Sequence, residues 1–181
     1  MKIFVVSQNL LKSGLPFPEH VILRINLAWH KDLDSVRSML EGYKNREMFL
    51  DIPIGRKKPP NHDHNIEHIA EIANSYSNVE YVAISNVEEA STVHYYGKIF
   101  KAKIVPKIES YAGVMRSGDI IDALGYKPGV IMLDHEDLFT NLVALKKEGH
   151  YLEVVDSLID SCKEKHACLL RVQGIIFSNV G

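Results

Sequence analysis

Short apolar runs alternate with stretches of helical spacing along almost the whole chain. Residues 3–7, 21–27, 48–54, 79–85, 103–109, 130–134 and 167–173 read as strands, rich in β-branched and aromatic residues. Between them, Val36, Met39, Leu40 and Tyr43 recur at i, i+3, i+4, i+7 spacing, with Asp34 as a candidate cap. Ile66, Ile69, Ala70, Ala73 and Tyr76 mark a second helical face, which Asp63 or Asn65 can cap. Asn86 is a candidate cap for the helix after the fourth strand. A further helix is expected near residues 114–123, and a longer helical region over about 137–165, broken at Gly149. Gly14, Pro16 and Pro18 deny residues 8–20 a full crossover helix.

Strands alternating with helices imply parallel pairing and right-handed crossovers. The pattern alone leaves two architectures open, a doubly wound sheet and a closed (β/α) barrel. An eight-fold barrel usually needs about 250 residues. With 181 residues and about seven strands, a barrel here is short or incomplete. No linker or low-complexity tract divides the chain, so residues 1–181 are read as a single domain.

Composition narrows the class of partner. Hydrophobic residues make up 46% and charged residues 24%, as in a soluble globular protein. Lys and Arg number 21 against 23 Asp and Glu, a balance that argues against a nucleic-acid binder. No apolar run reaches the roughly 20 residues of a membrane span. The apolar N-terminal run is too short for a signal-peptide core. Cys162 and Cys168 have no common zinc spacing and read as free thiols in a reducing compartment. A cytoplasmic location is expected.

In both architectures ligands bind at the carboxyl ends of the strands. The polar residues there include Arg24, Asn26 and His30, then Asp51, Ser85 and Asn86, then Lys107 and Glu109, then Asp134, His135, Glu136 and Asp137, and last Arg171 and Gln173. Lys107 and Glu109 are two apart on one strand and share a face. Glu109 and Asp137, from neighbouring strand ends, are able to share one Mg²⁺ or Mn²⁺, which favours few carboxylates plus waters and substrate oxygens. The plain alternative is an internal Lys107–Glu109 salt bridge with no ligand. His62, His64 and His68 lack a catalytic zinc signature and read as a solvated helix entrance. Arg56-Lys57-Lys58 reads as a solvated loop.

The run Ile104-Val105-Pro106-Lys107-Ile108-Glu109-Ser110, followed by Gly113-Val114, then Val130-Ile131-Met132-Leu133 and Asp137-Leu138, resembles the phosphoenolpyruvate/pyruvate barrel superfamily, pyruvate kinase most closely. Arg24-Ile25-Asn26-Leu27, Leu50-Asp51-Ile52-Pro53 and the segment from Tyr81 to Ala90 resemble further strands of that family in the same order. The likeness implies a TIM-type barrel. It implies Glu109 and Asp137 as ligands of Mg²⁺ or Mn²⁺, Lys107 as the cation that stabilises enolate and phosphoryl charge, and Arg24 as a phosphate contact. Asn26 and Asp51 match two ligands of a monovalent-cation site, but Ala28 and Ile52 stand where that site needs Ser and Thr. Val172 lies near a substrate-contacting threonine of the family, and His135-Glu136 replaces its Arg-Gly. No inserted lid domain follows the third strand.

Without that lid, which excludes water for phosphoryl transfer, the resemblance points to the lidless relatives, citrate-lyase β-subunits and HpcH/HpaI aldolases. It implies metal-dependent carbon–carbon cleavage of a 2-oxo acid or a phosphorylated acid, with His30 or His135 as base and Asp51 as a further substrate or base candidate. The rivals are a degenerate, non-catalytic barrel that binds a small anion or a protein, and residual pyruvate kinase-type phosphotransfer. An unclosed barrel exposes sheet edges, so a homo-oligomer is expected.

Overall fold

The computed structural model describes residues 5–8, 18, 20–54 and 64–171. Seven parallel strands form one sheet whose spatial order is the chain order: β1 (Val5–Ser7), β2 (Ile22–Asn26), β3 (Met48–Ile52), β4 (Val79–Ile84), β5 (Lys103–Ile108), β6 (Val130–Leu133) and β7 (Cys168–Arg171). Sequential right-handed crossovers put the connecting helices of the described residues on one face. The sheet curls away from them into a half-barrel, an incomplete TIM-like barrel. The helices are α1 (Leu33–Gly42), α2 (Ile66–Ser75), α3 (Ala90–Ile99), α4 (Tyr111–Met115), α5 (Ser117–Asp122), α6 (His135–Ala144) and α7 (Tyr151–Glu164).

Side chains alternate between the two faces. Leu23, Ile25, Leu50, Ile52, Val82, Ile84, Ile104, Ile108, Ile131 and Leu133 point outward into the sheet–helix core. Ile22, Phe49, Tyr81, Ala83, Val105, Val130 and Met132 point into the lumen and form a second, smaller cluster. The lumen is therefore closed by apolar packing at the amino ends of the strands. Phe49 and Tyr81 lie 6.1 Å apart there, and the Tyr126 hydroxyl donates to the Ile104 carbonyl at 2.9 Å. Polar residues are left for the carboxyl ends.

All seven expected strands are present; β2 to β6 stop one or two residues short of their expected ends, β1 ends at Ser7 as expected, and residues 3–4 and 172–173 lie outside the described residues. The expected helices are present with four adjustments. Asp32, not Asp34, caps α1, its side chain accepting from the Ser35 amide. Asn86 does not cap α3, because it sits three residues too early in a tight turn. The region near 114–123 is two short helices, bent at Arg116. The long helical region stops at Lys146, whose φ of 57° turns the chain so that the Lys147 amide closes on the Leu142 carbonyl at 2.8 Å. Gly149 lies in the 3-10 turn that follows. The proline-rich residues 9–17 and the basic loop of Arg56 to Lys58 fall outside the described residues, as does His62. His64 is described, and its Nε2 meets the His30 carbonyl at 3.0 Å. No helix of the described residues is long and apolar enough to cross a membrane. Cys162 and Cys168 are free thiols.

Gly113 shows how closely the site loops pack. A Cβ there would meet the Val87 carbonyl oxygen at 2.8 Å. Gly113→Ala is expected to destabilise the fold by about 1–3 kcal/mol, read as a lower urea midpoint with an unchanged slope.

Candidate functional site

The site is built on the lumen ends of β2, β3 and β5. Arg24, Asp51 and Lys107 are each at an inward position of their strand, and Asp51 is fully buried. An inward charge at this depth is stable only with a partner. Arg24 Nε donates to Asp51 Oδ2 at 2.9 Å, and Nη2 makes a second contact with the same oxygen. Lys107 Nζ lies 3.5 Å from Asp51 Oδ1, 2.9 Å from Glu109 Oε1 and 3.1 Å from Ser85 Oγ. Asp51 thus serves two cations. It is in no position to be a monovalent-cation ligand without displacing them, in keeping with the altered residues Ala28 and Ile52.

Glu109 follows β5, is 5% exposed, and accepts the Asn86 backbone N–H on Oε2 at 2.7 Å. Asp134 follows β6 and caps α6, accepting the Asp137 amide on Oδ1 at 3.2 Å. One oxygen from each of Glu109, Asp134 and Asp137 lies within 4.8 Å of the others. These three are the only such group of metal-capable side chains among the described residues. The pair expected from sequence, Glu109 and Asp137, is brought together, and Asp134 joins it. Period-two alternation was the available signal for Asp134: Val130 and Met132 face the lumen, so the next alternate residue does too.

The electrostatics follow from this crowding. Burial alone would lower the Lys107 pKa, but Asp51 and Glu109 overcome it and hold the ammonium above its ordinary value. Burial pushes the Glu109 carboxyl up, and Asp134 adds to the rise. Lys107 and the Asn86 amide pull it partly back. Glu109 has one cation and one like charge beside it, whereas Lys107 has only carboxylates, so the two shifts share a sign. A divalent ion among the three carboxylates would relieve the strain on Glu109. The donor set is all oxygen and hard, as Mg²⁺ and Mn²⁺ prefer.

The two histidines are already engaged. His30 Nδ1 meets Ser35 Oγ at 2.8 Å and Nε2 meets Gln8 Oε1 at 3.2 Å. His135 opens α6. Its Nε2 accepts from Arg171 Nε at 3.1 Å, which leaves Nδ1–H to donate to the Tyr151 hydroxyl. Burial, then the Arg171 charge, lowers the His135 pKa.

No family model matches the sequence, and no curated protein matches it. Solved structures do match in fold. An HpcH/HpaI aldolase/citrate lyase family protein from Burkholderia cenocepacia J2315 superimposes with a TM-score of 0.71 at 12% identity, over 95% of this chain and 80% of that one. RipC from Yersinia pestis gives 0.63 at 15% identity, over 88% and 73%. The citrate lyase β subunit of M. tuberculosis, solved with oxaloacetate and magnesium, gives 0.61 at 13% identity, over 93% and 76%.

The ion network makes a stability ordering. Asp51→Leu leaves Arg24 and Lys107 short of a buried carboxylate and is expected to cost about 3–5 kcal/mol. Adding Arg24→Met should recover part of that loss, since the stranded cation goes too. Chemical denaturation of the single and double variants gives the order, and a double variant less stable than Asp51→Leu would contradict it.

Proposed function

We propose that this chain is a Mg²⁺- or Mn²⁺-dependent lyase or aldolase acting on a 2-oxo acid or a related small carboxylate. The observation that carries the reading is the convergence of Glu109, Asp134 and Asp137 beside the buried Lys107 ammonium, at the open end of a lumen whose other end is packed shut. The shared fold with an aldolase/citrate lyase family protein, and with a citrate lyase β subunit solved with oxaloacetate and magnesium, supports it.

Glu109 and Asp137 would hold the metal, with Asp134 completing the set. When bound, a divalent ion supplies Lewis-acid stabilisation for negative charge on a substrate oxygen. Lys107 adds a fixed ammonium at the same end, already protonated and already oriented by Ser85 and Asp51, so it costs little reorganisation as charge develops. Arg24 has Nε and Nη2 on Asp51, and its Nη1, which meets no partner among the described residues, would meet a substrate carboxylate or phosphate. His30 and His135 are the candidates for the base, and each would exchange a present partner for substrate.

That engagement of both imidazoles is what favours a second reading, a non-catalytic member of the same fold that binds a small anion. Pyruvate kinase-type phosphotransfer has less support, because residues 55–63 are too few for a lid domain.

We also propose a homo-oligomer. Among the described residues β1 and β7 are each paired on one side only, and α6 and α7 expose Phe139, Val143 and Leu152. Light scattering after size exclusion should give more than 20.5 kDa, and a monomer at high concentration would exclude it.

Calorimetric titration with oxalate, an enolate mimic, tests the site. Binding is expected with Mg²⁺ or Mn²⁺ present and lost in Glu109→Gln. Deuterium exchange at the pyruvate methyl group, followed by NMR, then separates the lyase from the binding protein. No oxalate binding under any metal condition would end the enolate reading.

A further inference from the structure

The turn after β4 holds Glu109 from the side opposite Lys107. Asn86 in that turn has φ 55°, in the left-handed region that side chains other than those of Asn and Asp seldom adopt. Three bonds keep it there. Its Nδ2 donates to the Ile54 carbonyl at 2.8 Å. The Ser85 amide donates to the Ile52 carbonyl at 3.3 Å on one flank, and the Val87 amide donates to the Lys107 carbonyl at 3.2 Å on the other. The residue is thus pinned between β3 and β5, and its own amide is aimed at Glu109 Oε2, 2.7 Å away. The other Glu109 oxygen is held by Lys107 at 2.9 Å. Both oxygens have a donor before any ion arrives, and the carboxylate has little freedom to swing.

We infer that Asn86 is a positioning residue for the metal ligand Glu109, and that its left-handed amide makes the centre prefer a small octahedral ion to Ca²⁺. This rests on the metal reading of Glu109 given above. Ca²⁺ takes six to eight oxygens at longer range and needs carboxylates that re-aim, whereas Mg²⁺ takes six at near-ideal angles. A carboxylate fixed on both oxygens suits the second demand and resists the first. Asn is suited to the position because it tolerates the left-handed backbone and supplies the bond to Ile54. Glycine would keep the backbone and lose only that bond.

The test is Mn²⁺ binding followed by the EPR signal of the free ion, with competition by Mg²⁺ and by Ca²⁺, on the full chain. Asn86→Gly is expected to stay within about threefold of the parent in Mn²⁺ affinity. Asn86→Val, whose branched side chain disfavours the left-handed region, is expected to lose about tenfold to a hundredfold, the usual cost of removing a partner that orients a ligand. Ca²⁺ should weaken less, so the Mn²⁺/Ca²⁺ ratio narrows in Asn86→Val and not in Asn86→Gly. Asn86→Ala carries the same expectation in milder form if the valine variant does not fold. Equal losses in the glycine and valine variants would overturn the role of the left-handed amide, and so would an unchanged ratio in both Asn86→Val and Asn86→Ala. Glu109→Gln separates the two layers of the argument. Mn²⁺ binding that survives it sinks the metal reading itself, whereas binding lost there but unaffected at Asn86 sinks only the positioning role.

Discussion

The ammonium of Lys107, buried between the carboxylates of Asp51 and Glu109, is the constraint on which the rest of the lumen depends. A charge that is 6% exposed is tolerated only where carboxylates reach it, here Glu109 from the end of its own strand and Asp51 from β3 in register. Slipping β3 or β5 by one residue would turn Asp51 or Lys107 into the sheet–helix core and bring Ile52 or Ile108 into the lumen. Charge pairing inside and apolar packing outside therefore specify the same alignment. That agreement is what lets a half-barrel whose β1 and β7 are each paired on one side only, among the described residues, keep a defined interior.

Parallel strands place all their carboxyl ends on one side, and the lumen divides accordingly. Phe49, Tyr81, Val130 and their neighbours fill the amino end, and polar residues collect at the other. The acidic group there has two sources. Asp134 and Asp137 sit at the start of α6, where a helix N-terminus favours negative charge with or without a ligand. Glu109 comes from a different strand and owes nothing to that helix. Its arrival beside the two aspartates is the feature that local helix chemistry does not account for, and it is why the metal reading is anchored on Glu109.

Much of this is legible in the sequence. The seven strands follow from apolar runs bounded by turn residues, and the parallel sheet follows from their alternation with helices. Lys107 and Glu109 stand out because period two puts both on one face. The same rule, extended past Met132, points to Asp134, so that residue was within reach. The role of Asn86 was not. As a side chain before a helix it looks like a cap, and only the positions of Ile54 and Glu109 reveal that its side chain goes to one and its amide to the other. The stop at Lys146 was hidden for a similar reason, since the turn there is made by a lysine in a conformation usually left to glycine.

The amino-acid sequence by itself determined the order of elements, the inward and outward faces, and the residue types available at the strand ends, because periodicity and chain order are local properties. Tertiary structure alone decided how those residues are shared out. Asp51 went to Arg24 and Lys107, the two histidines went to Ser35, Gln8, Tyr151 and Arg171, and Glu109 went to Lys107 and the Asn86 amide, within 4.8 Å of Asp134 and Asp137. Such partnerships depend on distances of a few ångströms between segments tens of residues apart. Those distances are set by the curl and register of the sheet, which no local pattern encodes.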